Sequence, residues 1–146
     1  MNLNIRKIAS KDKDIFLAMS REFYSSEAVL HDIDNEYHNR AFKELMRSDM
    51  YLDCYMFEAD SKIIGYALLN KTYCREAGGP AVWIEELYIV PEYQGRGCGS
   101  YFFKWMEKHI PTQRYRLEVE PDNKRAMMLY DKMGYQKLPY VQMMKE

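Results

Sequence analysis

Leu87-Tyr88-Ile89-Val90-Pro91-Glu92-Tyr93-Gln94-Gly95-Arg96-Gly97-Cys98-Gly99-Ser100 decides how this chain is read. An apolar strand pattern stops at Pro91, and three of the chain's seven glycines follow at positions 95, 97 and 99. Phe102, Phe103, Met106 and Ile110 then recur on one helical face. In a strand, glycine loop, helix order, glycines let backbone N–H groups approach a ligand, and the helix N-terminus adds unpaired donors with partial positive charge. Together these make a pyrophosphate cradle, to which Arg96 adds a cation. No Gly-Lys-Ser/Thr follows and Ser100 stands where a dinucleotide fingerprint needs its third glycine, so a nucleotide P-loop and a dinucleotide fold are both disfavoured.

Upstream, Leu3 and Ile5 alternate with polar residues as a short strand. Ser10 then precedes a helix over Lys11 to Ser26, with Ile15, Met19 and Phe23 on one face. Asp34 to Arg47 carries Ala41, Phe42, Leu45 and Met46 at helical spacing. Tyr51 to Ala59 and Ile63 to Tyr73 flank the polar turn Asp60-Ser61-Lys62 as an antiparallel hairpin, and Gly78-Gly79-Pro80 turns the chain into a strand over Ala81 to Val90. Downstream of Pro111, Tyr115, Leu117 and Val119 alternate with Arg116, Glu118 and Glu120 as a strand. Asp122 or Asn123 caps a helix carrying Ala126, Leu129, Tyr130 and Met133, with Gly134 as its C′ residue. A last strand or two is expected in Tyr135 to Lys145, broken at Pro139. The result is a single α/β domain over 1–146, a mixed central sheet of about six to seven strands flanked by about four helices.

The bulk numbers narrow the partners. With 21 basic against 22 acidic residues the net charge is -1, so neither nucleic acid nor an anionic membrane is expected. No apolar run approaches the roughly 18 residues of a membrane span, and the N-terminus lacks a signal-peptide core, so a cytoplasmic location is expected. Cys54, Cys74 and Cys98, with His31, His38 and His109, form no metal-ligand spacing, and no metal is assigned. Thirteen Tyr and eleven Met suit a compact core, a half-polar cavity or a dimer face.

Gln94-x-x-Gly97-x-Gly99 after a strand and Pro91, and Asn123-x-x-Ala126-x-x-Leu129-Tyr130-x-x-x-Gly134-Tyr135 after the next, resemble the two signatures of the GCN5-related N-acetyltransferase (GNAT) superfamily. The resemblance covers nearly the whole chain and implies acetyl-CoA as cosubstrate. Its pyrophosphate would be held by Gln94, Gly95, Arg96, Gly97, Cys98, Gly99 and Ser100, and its pantetheine arm would lie along Leu87, Tyr88 and Ile89 as an added strand, with Asn123 and Tyr130 beside it. In the family a bulge splays this strand from the next to open a cleft. Tyr130 is placed to protonate the departing thiolate.

Glu85 and Glu86 are adjacent on an otherwise apolar strand, so alternation puts one carboxylate on each face unless a bulge intervenes. An acceptor ammonium must lose a proton before attack, and a carboxylate acting through water can take it. Ile84-Glu85-Glu86-Leu87-Tyr88 looks like the diamine and polyamine branch of the family, which ranks Glu85 above Glu86. Cys98 reads as a packing residue, favouring direct transfer in a ternary complex. The expected acceptor is a primary amine of a small cationic metabolite, polyamine-like or aminoglycoside-like. Peptide or protein amines and a non-catalytic CoA-binding module are the alternatives, and a homodimer through Tyr135 to Met144 is an open option.

Overall fold

The computed structural model describes residues 2–146. Five strands form one sheet in the order β1-β2-β3-β4-β5: β1 (Asn4–Lys7), β2 (Leu52–Ala59), β3 (Lys62–Cys74), β4 (Gly79–Ile89) and β5 (Arg114–Leu117). The first four are antiparallel neighbours, and β5 joins β4 in parallel through the crossover helix α3 (Cys98–His109). The other helices are α1 (Lys13–Tyr24), α2 (Asn35–Arg47) and α4 (Lys124–Lys132).

Alternation along the strands divides the core into two layers. Cys54, Met56, Tyr66 and Leu68 face α1 and α2, where Phe16, Leu17, Met19 and Phe42 close the layer. Phe57, Ile64, Leu69, Val82 and Ile84 face the opposite side and pack on Phe102, Phe103 and Met106 of α3. Local signals set the helix ends. The Asp34 side chain accepts from the Glu36 N–H at 3.1 Å, and Asn123 accepts from the Ala126 N–H at 3.2 Å, both as N-caps. After α4, Gly134 is left-handed (φ 89°), the Gly134 N–H donates to the Asp131 carbonyl, and the Tyr135 N–H donates to the Tyr130 carbonyl. This Schellman pairing fixes Tyr135 beside Tyr130, with ring centroids 6.2 Å apart.

Two departures from the sequence reading matter. The expected strands in Tyr135 to Lys145 are absent, and the sheet has five strands rather than six or seven. A strand needs a ladder partner, and this tail has none: residues 136–146 are exposed. Pro139 lacks a donor, and the tail is tied to the β3–β4 turn by a side chain, the Tyr140 hydroxyl donating to Glu76 at 2.7 Å. The second departure is that β5 ends at Leu117, leaving Glu118, Val119 and Glu120 outside the ladder.

Candidate active site

The end of β5 follows from an irregularity in β4. Along the β3–β4 ladder Leu68 pairs with Glu86 and Leu69 with Ile84, so Glu85 is the extra residue of a bulge. The parallel β4–β5 pairing runs from Ala81 with Arg114 to Ile84 with Leu117 and stops there. Beyond the bulge, Leu87, Tyr88 and Ile89 pair with β3 alone, and their other edge opens into a cleft. An extended, amide-rich ligand can add to such an edge as a strand does.

Gly95 (φ 74°) and Gly97 (φ 84°) both take the left-handed backbone that glycine accepts without strain. Gly97 is the N-cap of α3, no side chain caps that helix, and a Cβ built on Gly97 would meet nothing within 4 Å. The α3 N-terminus therefore presents free N–H groups to open space, which fits a pyrophosphate. Gly99 does a different job. Its Cβ would stand 2.8 Å from Leu129 Cδ2, so this glycine lets α3 approach α4.

Gln94 links the loop to both neighbours. Its amide donates to the Ile89 carbonyl at 2.9 Å, and its side-chain oxygen accepts from Arg125 at 3.0 Å. Arg125 thus joins Arg96 beside the glycine loop, a second cation that the sequence reading did not pick out. Its one local signal was a place in the first turn of α4, two residues after Asn123. Arg96 stacks over Tyr93 at 4.8 Å, and the Tyr93 hydroxyl donates to Asp60. Cys98 is buried, and burial pushes its thiol up, so it remains protonated and packs rather than attacks.

The two adjacent carboxylates part company at the bulge. Glu85 is exposed at the mouth of the splay, and partial desolvation together with the charge of Glu118 raises its pKa. Glu86 turns to the α1 face and is buried (6% exposed), accepting from the Tyr66 hydroxyl at 2.6 Å. Burial pushes its pKa up to about 7, against the pull of the hydrogen bond from Tyr66. Tyr130 packs edge-on against Phe103, with centroids 5.8 Å apart, and burial raises its pKa as well. It lines, with Glu118 and Val119, a cavity of about 890 Å³ between β5, α4 and the tail. Asp32 accepts from the Ile33 N–H of its own loop, and Asp34 from the Glu36 N–H at the start of α2. Among the described residues, no three His, Cys, Asp or Glu side chains gather where they could hold a metal ion, and no helix is long and apolar enough to cross a membrane.

Residues 14–135 match the profile described as the acetyltransferase (GNAT) family. The thialysine N-epsilon-acetyltransferase of Mus musculus is 26% identical over 92% of this chain and 84% of its own length. The spermine/spermidine N(1)-acetyltransferase of Bacillus subtilis (strain 168) is 28% identical over 55% of each chain. A possible acetyltransferase from Clostridium difficile 630 superposes with a TM-score of 0.84 at 18% identity, covering 100% of this chain and 98% of its own. The aminoglycoside N-acetyltransferase AAC(6')-Iy in complex with CoA gives 0.75 at 16% identity, covering 99% and 95%.

Proposed function

This chain belongs to the acetyltransferase (GNAT) family, and we propose that it moves the acetyl group of acetyl-CoA to a primary amine of a small cationic metabolite, polyamine-like or aminoglycoside-like. One observation carries the acceptor class: the bulge that ends the β4–β5 ladder leaves Glu85 and Glu118 together at the mouth of the splay. Glu22 adds negative potential near Tyr88. Two carboxylates this close favour a cation between them. The named relatives that act on spermine, spermidine and thialysine agree with a cationic acceptor.

Acetyl-CoA brings an activated thioester. The N–H groups at Gly97, Cys98 and Gly99, with Arg96 and Arg125, are the groups that would hold its pyrophosphate, and the free edge of Leu87, Tyr88 and Ile89 would hold the pantetheine arm. Gln94, Ser100 and Asn123 shape the two helix starts around them. The Tyr130 hydroxyl, kept protonated by burial, is a proton donor for the departing sulfur. One of the two β4 carboxylates takes the proton from the acceptor. The amine then attacks the thioester directly, without a cysteine intermediate. We assign the protein a homodimeric state, using the exposed tail.

The test is a panel of amines at neutral pH with thiol release as the readout. Diamines and aminoglycosides should exceed neutral-tailed monoamines in kcat/KM, and the advantage should fall as salt rises, since exposed charges beyond about 8 Å are screened at physiological ionic strength. A flat salt profile with preference for uncharged or peptide amines would overturn the acceptor class.

A further inference from the structure

A second bulge lies in β3. Along the β2–β3 ladder Phe57 pairs with Gly65 and Glu58 with Ile63, so Ile64 is the extra residue. A bulge bends its strand, and here the bent end of the hairpin is tied to the end of β4. The Ile64 carbonyl accepts from the Val90 N–H at 2.8 Å, and a Cβ on Gly65 would stand 2.2 Å from the Tyr88 carbonyl oxygen. The turn of this hairpin is strained. Asp60 (φ 52°) and Ser61 (φ 61°) are both left-handed, in a two-residue turn that ordinarily takes Asn-Gly or Gly-Gly. Residues other than glycine persist there when the surroundings hold them, and Asp60 is held. Its carboxylate accepts from the Tyr93 hydroxyl at 2.5 Å, thirty-three residues away in sequence. Tyr93 ends the single 3-10 turn Pro91–Tyr93, with its ring half-buried against the core and its N–H donating to the Val90 carbonyl at 2.9 Å. On that ring lies the Arg96 guanidinium, 4.8 Å from the centroid. Among the described residues Arg96 has no ion-pair partner, whereas Arg125 uses one N–H on Gln94 at 3.0 Å.

We propose that Asp60 is a positioning residue for acetyl-CoA: by accepting from the Tyr93 hydroxyl it fixes the ring on which Arg96 stacks, and so sets that guanidinium beside the glycine loop for the pyrophosphate. The inference rests on the pyrophosphate placement proposed above. A carboxylate near an anion site, taken alone, repels the anion. Here its charge acts through the ring. A phenol that donates to a carboxylate makes a charge-assisted hydrogen bond, which polarises the phenol and strengthens the attraction of the ring face for a cation. The same hydrogen bond raises the Tyr93 pKa, so the phenol remains a donor. Stacking also orders the long Arg96 side chain before the ligand arrives, which leaves less entropy to be lost on binding. The Ile64 bulge and the strained turn deliver the carboxylate, and the hydrogen bond braces the β2–β3 hairpin against the loop between β4 and α3.

The sign of one binding change tests this. Asp60→Asn keeps a side chain that tolerates the left-handed turn, so the hairpin should fold. Were Asp60 only a charge near the anion, the variant would bind acetyl-CoA more tightly. Acting through Tyr93 and Arg96, its loss should instead raise the acetyl-CoA Kd about two- to fivefold, the size of an exposed cation–π contact. Tyr93→Phe, which keeps the ring and loses the donor, should raise it by a similar factor. S-acetylpantetheine, which has the thioester but no pyrophosphate, should bind both variants as it binds the parent, and kcat at saturating acetyl-CoA should hold, with the effect confined to KM. In an Arg96→Ala background, Asp60→Asn should add nothing. Three results would each overturn the role of Asp60: acetyl-CoA binding unchanged or tighter in Asp60→Asn, an equal loss with S-acetylpantetheine, or an undiminished effect once Arg96 is gone. An Arg96→Ala variant that binds acetyl-CoA as tightly as the parent would refute the pyrophosphate placement, and the inference with it.

Discussion

Three glycines two residues apart perform separate tasks, and single substitutions should separate them. Gly97→Asp adds about 1 kcal/mol of left-handed strain in open space, and its carboxylate would occupy the α3 N–H groups itself. The variant should fold, yet the rise in Tm that acetyl-CoA gives the parent by mass action should vanish. Gly99→Val forces Leu129 aside and should cost about 1–3 kcal/mol of stability, with the ligand shift retained. Tyr130→Phe should lower kcat roughly 10²-fold while the acetyl-CoA Kd holds. Cys98→Ala should keep turnover within a few-fold, because the thiol is buried and protonated. Glu86 carries a stability signature too. Its folded pKa of about 7 lies above the ordinary 4.5, so the native state binds more protons between those values. Stability should therefore be greatest below about pH 4.5 as far as this group decides, and decline as pH rises towards 7. The loss is on the order of 2–3 kcal/mol as an upper figure. Urea midpoints of Glu86→Gln against pH should lack that decline.

At the scale of elements, the one-residue bulge in β4 makes the cleft, and deletion tests it. Removing Glu85 would leave Ile84 and Glu86 on the faces they already occupy, opposite Leu69 and Leu68. The core should survive, β4 should continue its pairing with β5, and acetyl-CoA should no longer raise the Tm. Glu85→Ala, which keeps the bulge and loses the charge, should retain that shift and lose the preference for diamines. Thermal melts with and without acetyl-CoA distinguish the two. This device also marks the limit of what the sequence discloses. Strand, loop and helix around Gly95 to Gly99, and a cap at Asp122 or Asn123, were legible because each depends on residues within a few positions. The bulge entered the sequence reading only as a condition and as a family trait, because two adjacent glutamates do not say which is the extra residue. Tyr66 and Arg125 gave no signal, since each meets its partner across the fold, Tyr66 twenty residues from Glu86 and Arg125 thirty-one from Gln94. The tail was misread for the opposite reason. Its tyrosines and Val141 carry strand propensity, but propensity supplies no neighbour to pair with.

That tail governs the behaviour of the whole molecule. Leu138 is 45% exposed, Tyr140 61%, Val141 87%, Met143 93% and Met144 83%, a run of large apolar side chains that monomeric proteins rarely leave in water. The same chain has an edge strand, β5, facing the 890 Å³ cavity that Tyr140 and Gln142 border but do not close. In the proposed homodimer each tail would cover the partner's β5 edge, and such a self-complementary contact closes without further growth. A net charge of -1 offers little repulsion between copies. Light scattering should accordingly give a mass twice 17.5 kDa for the full chain, with a Tm that rises with protein concentration. A chain ending at Gln136 should be a monomer whose Tm does not depend on concentration. It should also lose turnover more than acetyl-CoA binding, because the cavity wall it removes adjoins Tyr130 and Glu118 while the glycine loop lies elsewhere. A full-length chain that stays monomeric at all concentrations, with the truncated form matching it in mass, would show instead that the tail folds back onto its own β5.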